Sequence, residues 1–230
     1  MARKKLLRFK FNEEAYNFIQ PGKEKYATIK GNWKHHFGNH NPITLEVGCG
    51  RAEYTTGLAQ QYPDRNFIGI DIKGARLWKG SSLSVELGLH NTAFLRTKLQ
   101  SLEDFFEPGE VDTIWITFPD PRPKEGDEKL RLPGRRFLSI YKRLMPQGGS
   151  VHFKTDNRAL FDYTLEVLQD PEWGISELDY TFDLDQSPML SEHLGIETTY
   201  ERKFKKVGFK INYLRFKFLP SHNTHDKSIK

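Results

Sequence analysis

The chain has 230 residues, 37% hydrophobic and 28% charged, which suits one buried core and argues against a disordered chain. Its formal net charge of +5 leaves room for a polyanionic partner. No apolar run approaches the roughly 20 residues that cross a bilayer, the basic stretch Met1 to Arg8 lacks an apolar h-region after it, and Cys49 is the only cysteine, so membrane insertion, a secretory signal, an internal disulfide and a cysteine-based zinc site are all unexpected.

These features suit a cytoplasmic protein. Basic residues gather at Arg3 to Arg8, Lys23 to Lys34, Lys124 to Arg136 and Arg202 to Lys210. Residues 1–40 read as a basic, helical arm, with its helix at Glu13 to Phe37. Ile43 to Val47 is a short apolar run ending at Gly48-Cys49-Gly50, the pattern of a buried strand and a tight turn. Helix is expected over Ala52 to Gln61, strand over Asn66 to Ile70, helix over Lys73 to Leu87 and strand over Thr92 to Leu95. Leu102 to Phe106 is a short helical or irregular stretch, and Val111 to Phe118 contains the fourth strand. The prolines at 119, 121 and 123 then remove backbone donors and fix an irregular loop. A helix over Arg135 to Met145, a strand over Ser150 to Lys154 and a helix over Arg158 to Leu168 follow, and Ile175 to Leu184 and Phe209 to Leu219 close the pattern as a pair of strands. Alternating strands and helices predict a doubly wound, mainly parallel α/β sheet over residues 41–220, with 221–230 as a tail.

In such a sheet, ligands bind beyond the carboxyl ends of the strands, where the strand order reverses. A dinucleotide site wants a third glycine at the position that Glu53 occupies, and a carboxylate beside a pyrophosphate is electrostatically poor. The turn therefore favours a ligand without phosphates, which S-adenosyl-L-methionine satisfies. Gly48 and Gly50 let the backbone approach such a ligand, and Glu46 can attract its cationic methionine portion. Asp71, at the end of the second strand, is placed to accept hydrogen bonds from ribose hydroxyls. The plain alternative is an ordinary αβ turn with capping acids.

Asp120 lies in Phe118-Pro119-Asp120-Pro121, at the end of the fourth strand. As a bare Pro-Asp-Pro it would be a stiff turn with a local cap. At this position in the sheet its carboxylate can accept from a guanine's N1–H and exocyclic amine, presenting the N7 edge, and can stabilise positive charge developing on the purine. N7 carries a lone pair and no proton, so methyl transfer to it needs alignment rather than a general base. The eight histidines show no metal-ligand spacing, and no metal is expected.

Leu45 to Gly50, Gly69-Ile70-Asp71, Phe118 to Lys124, His152 to Asn157 and Thr198 to Phe204, in this order, resemble the bacterial tRNA (guanine-N7-)-methyltransferases over about Ile43 to Phe218. The resemblance implies a seven-stranded Rossmann-like methyltransferase sheet with an antiparallel C-terminal strand, and tRNA as partner, methylated at a guanosine of its variable loop. It implies cofactor contacts from Glu46, Asp71 and Asp120, the last also at the catalytic position. Lys124, Asp156 and the stretch Thr198, Thr199, Tyr200 and Glu201 are implied to contact the guanosine and its surroundings. Thr198 with Glu201 three residues on also spells a capping box.

This chain departs from the family pattern in three places. Arg122 stands where Trp is usual, acids and Gly126 dilute the basic run after Lys124, and Gln100 is the nearest substitute for an acid after the third strand. A methyltransferase of a protein or small molecule, a non-catalytic RNA-binding module and, more remotely, a nicotinamide dehydrogenase are the competing readings. Nothing in the residues decides between a monomer and a homodimer.

Overall fold

The computed structural model describes residues 2–145 and 148–219; the expected tail at 221–230 lies outside them, as do the side chains of residues 2–4. In chain order the regular elements are α1 (Ala2–Glu14), β1 (Phe18–Ile19), α2 (Glu24–Thr28), α3 (Trp33–Phe37), β2 (Ile43–Val47), α4 (Glu53–Gln61), β3 (Asn66–Asp71) and α5 (Gly74–Glu86). There follow β4 (Thr92–Arg96), β5 (Thr113–Thr117), α6 (Arg135–Leu144), β6 (Ser150–Thr155), α7 (Arg158–Leu168), β7 (Ile175–Thr181), α8 (Thr199–Lys205) and β8 (Asn212–Phe218).

β2, β3 and β5 are buried at every position. Parallel strands carry cover on both faces, so even the polar side chains within them, Thr44, Glu46, Asn66 and Thr117, are buried. The strands lie in the order β1-β4-β3-β2-β5-β6-β8-β7. All neighbours are parallel except β8, which runs antiparallel to both β6 and β7. The order reverses between β2 and β5, so that pair defines the switch point of the sheet.

The sheet has eight strands where seven were expected. The extra strand comes from the arm, which is not one helix over Glu13 to Phe37. Pro21 and Gly22, the latter at φ 96°, separate β1 from α2. β1 is held on the edge of the sheet by pairing Phe18 with Phe94 and Ile19 with Leu95. Asn17 ties the same segment to α5 through a 2.7 Å bond from the Ser81 hydroxyl. Trp33 is fully buried, stacks on Phe106 and donates its indole N–H to the Phe105 carbonyl at 2.8 Å. The main core lies along the sheet and includes Ile19, Ile29 and Trp33 beside Leu45, Ile68, Ile114 and Phe153.

Candidate functional site

At the carboxyl ends of β2 and β5 the structure opens a cavity of about 400 Å³, within the range of small-molecule sites, ~300–1,000 Å³. Gly48, Asp71, Gln100 and Asp120 line it, with Leu132 and Phe137 among its apolar walls. The turn after β2 needs its glycine: Gly48 sits at φ 69°, and a Cβ there would come within 3.1 Å of the Leu132 side chain. Gly50 and Ala52 are left-handed too, so the chain coils tightly before α4 begins. Asp71 fastens this turn from the next strand. One carboxylate oxygen accepts the Gly50 N–H at 3.1 Å and the other the Lys73 N–H at 2.7 Å, and the residue is only 7% exposed.

Glu46, whose place at the strand end suggests contact with a cationic ligand, lies beneath the turn, buried and outside the cavity lining. One oxygen accepts the Thr55 N–H at 2.8 Å and the Thr55 hydroxyl at 2.6 Å; the other accepts the Thr117 hydroxyl at 3.0 Å. Burial raises the Glu46 carboxyl to about 7, against the pull of these hydrogen bonds. Glu53, the residue that breaks a dinucleotide turn, has a different task. Its carboxylate accepts both the backbone N–H and the hydroxyl of Thr199, joining the first turn of α4 to the first turn of α8.

The loop after β5 is built differently. Phe118 and Arg122 are both at φ 48°, a strained conformation for side chains of this size. Arg131 braces the loop by donating to the Arg122 carbonyl at 3.0 Å. Between them Asp120 projects with its side chain 85% exposed, and among the described residues its only ionic partner is Arg122 at 3.4 Å. Lys124 starts the 3₁₀ turn Glu125–Leu130 and lies outside the cavity lining.

The substrate-side residues form a second group around α8. Thr198 caps the helix with Glu201 in a complete capping box, as the spacing predicts. Asp156 accepts from the Tyr200 hydroxyl at 3.3 Å, and the Tyr200 ring lies 5.3 Å from Phe118, which joins this group to the cavity. Glu201 does not face the cavity: it is 1% exposed and pairs with Lys154, equally buried, at 2.7 Å.

Lys154 is the residue that sequence reasoning missed. Its ammonium also donates to the Tyr54 hydroxyl at 2.7 Å, which contacts His193 Nδ1 at 2.6 Å. Burial lowers the lysine, and the Glu201 carboxylate opposes that shift. A lone lysine inside the apolar strand Ser150 to Lys154 was the available signal. Burial likewise depresses His152 to about 3 and His193 to about 2, so both imidazoles are neutral near pH 7. No histidine among the described residues lines the cavity. Among the described residues, no cluster of three His, Cys, Asp or Glu side chains could hold a metal ion, and no helix is long and apolar enough to cross a membrane.

A reversed parallel sheet with a closing antiparallel strand, and a cavity between a glycine turn and an acidic loop, define the methyltransferase class. The model of a family described as "Putative methyltransferase" matches residues 40–214. Fold neighbours agree. A 16S rRNA methyltransferase, KamB, superposes with a TM-score of 0.61 at 15% identity, covering 83% of this chain and 94% of that one. A variant of the 16S rRNA (adenine(1408)-N(1))-methyltransferase from Catenulisporales acidiphilia, with its cosubstrate SAM, gives 0.56 at 13% identity over 84% of this chain and 92% of its own. More specific still, the tRNA (guanine-N(7)-)-methyltransferase of Cytophaga hutchinsonii is 66% identical over 96% of this chain and 100% of its own. That of Christiangramia forsetii is 44% identical over 94% and 98%. The chain belongs to the tRNA (guanine-N(7)-)-methyltransferase family.

Proposed function

We propose that the protein transfers a methyl group from S-adenosyl-L-methionine to N7 of a guanosine in the variable loop of tRNA, in the cytoplasm. The observation that carries this reading is Asp120, an exposed carboxylate held on a strained loop directly across the switch point from the Gly48 turn. The residues present fit the methyl donor. The glycine turn admits a ligand to the backbone, Asp71 offers its free lone pairs to ribose hydroxyls, and Leu132 and Phe137 supply apolar walls. Gln100 also lines the cavity and can offer an amide. Glu46 acts from below: it fixes Thr55 and Thr117, and so the relative positions of β2, α4 and β5.

When bound, the donor supplies an electrophilic methyl on a sulfonium. The protein's part is to aim a nucleophile that already has its lone pair. Asp120 accepts from the N1–H and the exocyclic amine of the guanine, turns N7 inward and stabilises the positive charge that grows on the ring. No proton has to be removed before attack. Tyr200, between Asp156 and Phe118, offers its ring to the base. Thr198 and Glu201 hold α8 in place, Thr199 ties it to the cofactor turn, and Lys124 meets a phosphate, which positions the RNA without reading it.

The test is transfer of labelled methyl from S-adenosyl-L-methionine to unmodified tRNA, mapped by strand cleavage at 7-methylguanosine. A single labelled guanosine in the variable loop is the expected result; no label in tRNA would overturn the reading.

A further inference from the structure

Beyond Tyr200, α8 ends in a way that its sequence dictates. Gly208, at φ 87°, lets the Gly208 N–H reach the Lys205 carbonyl at 3.0 Å and the Phe209 N–H reach the Phe204 carbonyl at 3.1 Å. This is the glycine-terminated helix end in which the residue after glycine folds back on the last turn. Phe209 does so, meeting Phe204 edge to face at 5.3 Å. It remains 49% exposed all the same, beside Val207 at 68%.

Phe209 is also the last ring of a row. Phe118 leads to Tyr200 at 5.3 Å, Tyr200 to Phe204 at 4.2 Å, and Phe204 to Phe209. The row therefore runs from the catalytic loop out to the surface. Near its outer end Lys203 holds its ammonium 5.9 Å from the Phe204 ring, and Lys206 follows at the end of the helix; both are exposed and, among the described residues, without an ion-pair partner. Lys205, on the same helix, is by contrast engaged by Asp185, Glu197 and Glu201. Exposed rings flanked by unpaired cations suit a single-stranded nucleic acid, whose bases stack while its phosphates need charge. They suit a protein partner less well, because interfaces between proteins are depleted in lysine.

We propose that Phe209, backed by Phe204, is a stacking subsite for the base of an unpaired nucleotide flanking the target guanosine, with Lys203 and Lys206 meeting the adjoining phosphates. The subsite rests on tRNA being the substrate. Its rigidity follows from the helix end: the ring is set before RNA arrives.

The experiment compares wild type, Phe209→Leu and Phe209→Trp for the Kd of unmodified tRNA by fluorescence anisotropy, with methyl transfer to the same tRNA in parallel. Leucine preserves an apolar contact on Phe204 but has no π face, so it separates stacking from helix capping. Loss of one base stack, ~1–3 kcal/mol, corresponds to a Kd raised about 5- to 150-fold in Phe209→Leu, with Phe209→Trp binding as wild type does. Equal affinity of Phe209→Leu and wild type would overturn the subsite, as would Phe209→Trp binding as weakly as Phe209→Leu. Loss of a concentration-dependent dimer in Phe209→Leu, with tRNA affinity unchanged, would overturn it in favour of a protein interface. A wild-type protein that transfers no methyl to tRNA would bring down the substrate reading itself, whereas wild-type transfer with unaltered Phe209→Leu binding removes the subsite alone.

Discussion

The loops that follow β2 and β5 leave neighbouring strands side by side, yet they are built on opposite plans. Around the turn after β2 the acids are tied into the protein: Glu46 by Thr55 and Thr117 and Glu53 by Thr199, while Asp71, from the end of β3, holds two backbone N–H groups and still lines the cavity. After β5 the acid is held out into solvent on a strained backbone, with one arginine near it. The first plan makes a rigid socket, and the second presents a reactive edge. Carboxylates of the same chemistry thus serve shape in one loop and recognition in the other, and burial decides which.

The contrast can be broken most forcefully at the anchorage of α8. Lys154→Met leaves the interior Glu201 with Lys205, at 3.5 Å, as its remaining cation, so the loss should approach but not exceed the about 3–5 kcal/mol of breaking a buried pair outright. Chemical denaturation should show that loss, and a variant as stable as wild type would mean that the pair anchors nothing. On the exposed side, Asp120→Ala should leave the thermal midpoint unchanged while kcat falls about 10²- to 10³-fold, the scale for losing one preorganised stabiliser of developing charge. Steady-state methylation of tRNA checks it.

Glu46 gives a pH signature. Its folded-state value, about 7, lies above its ordinary 4.5, so the folded protein holds the proton longer than the unfolded chain does. The associated stability is complete below about pH 4.5 and is lost as pH rises through about 7. Relative to Glu46→Gln, wild type should therefore lose stability between these limits and run parallel to the variant above them; melting curves across the range would reveal it. The smallest effect is expected at Lys124→Ala, where the slope of log Kd for tRNA against log salt should drop by about 0.7–0.9. An unchanged slope would remove its phosphate contact.

Much of the scaffold was legible because its causes are local. β2, β3 and β5 announce themselves as short segments rich in isoleucine, leucine, valine and aromatic residues, the three prolines fix the irregular loop, and the Thr198–Glu201 spacing spells a cap that the structure contains. What escaped notice depends on contacts between distant residues. β1 is two residues long and exists through its pairing with β4. Whether a carboxylate at a strand end faces a ligand or the helix above it is undecided by its neighbours, and Glu46 chose the helix. Glu53 finds Thr199 from 146 residues away, and Lys154 finds Glu201 only once α8 is laid on the sheet.

The left-handed Phe118 and Arg122 have a consequence for the protein's evolution and for anyone engineering it. Non-glycine residues held there cost of order 1–3 kcal/mol each, so replacements that relax the loop are an accessible route to a hardier protein. The same replacements would let Asp120 wander from its aim. Stabilising changes are easily found at such places and hard to keep, because the gain in endurance is taken from turnover. A search for thermostable variants should therefore leave the segment from Phe118 to Arg122 alone and look for slack elsewhere, for example among the exposed apolar residues Leu6 and Leu7 of α1.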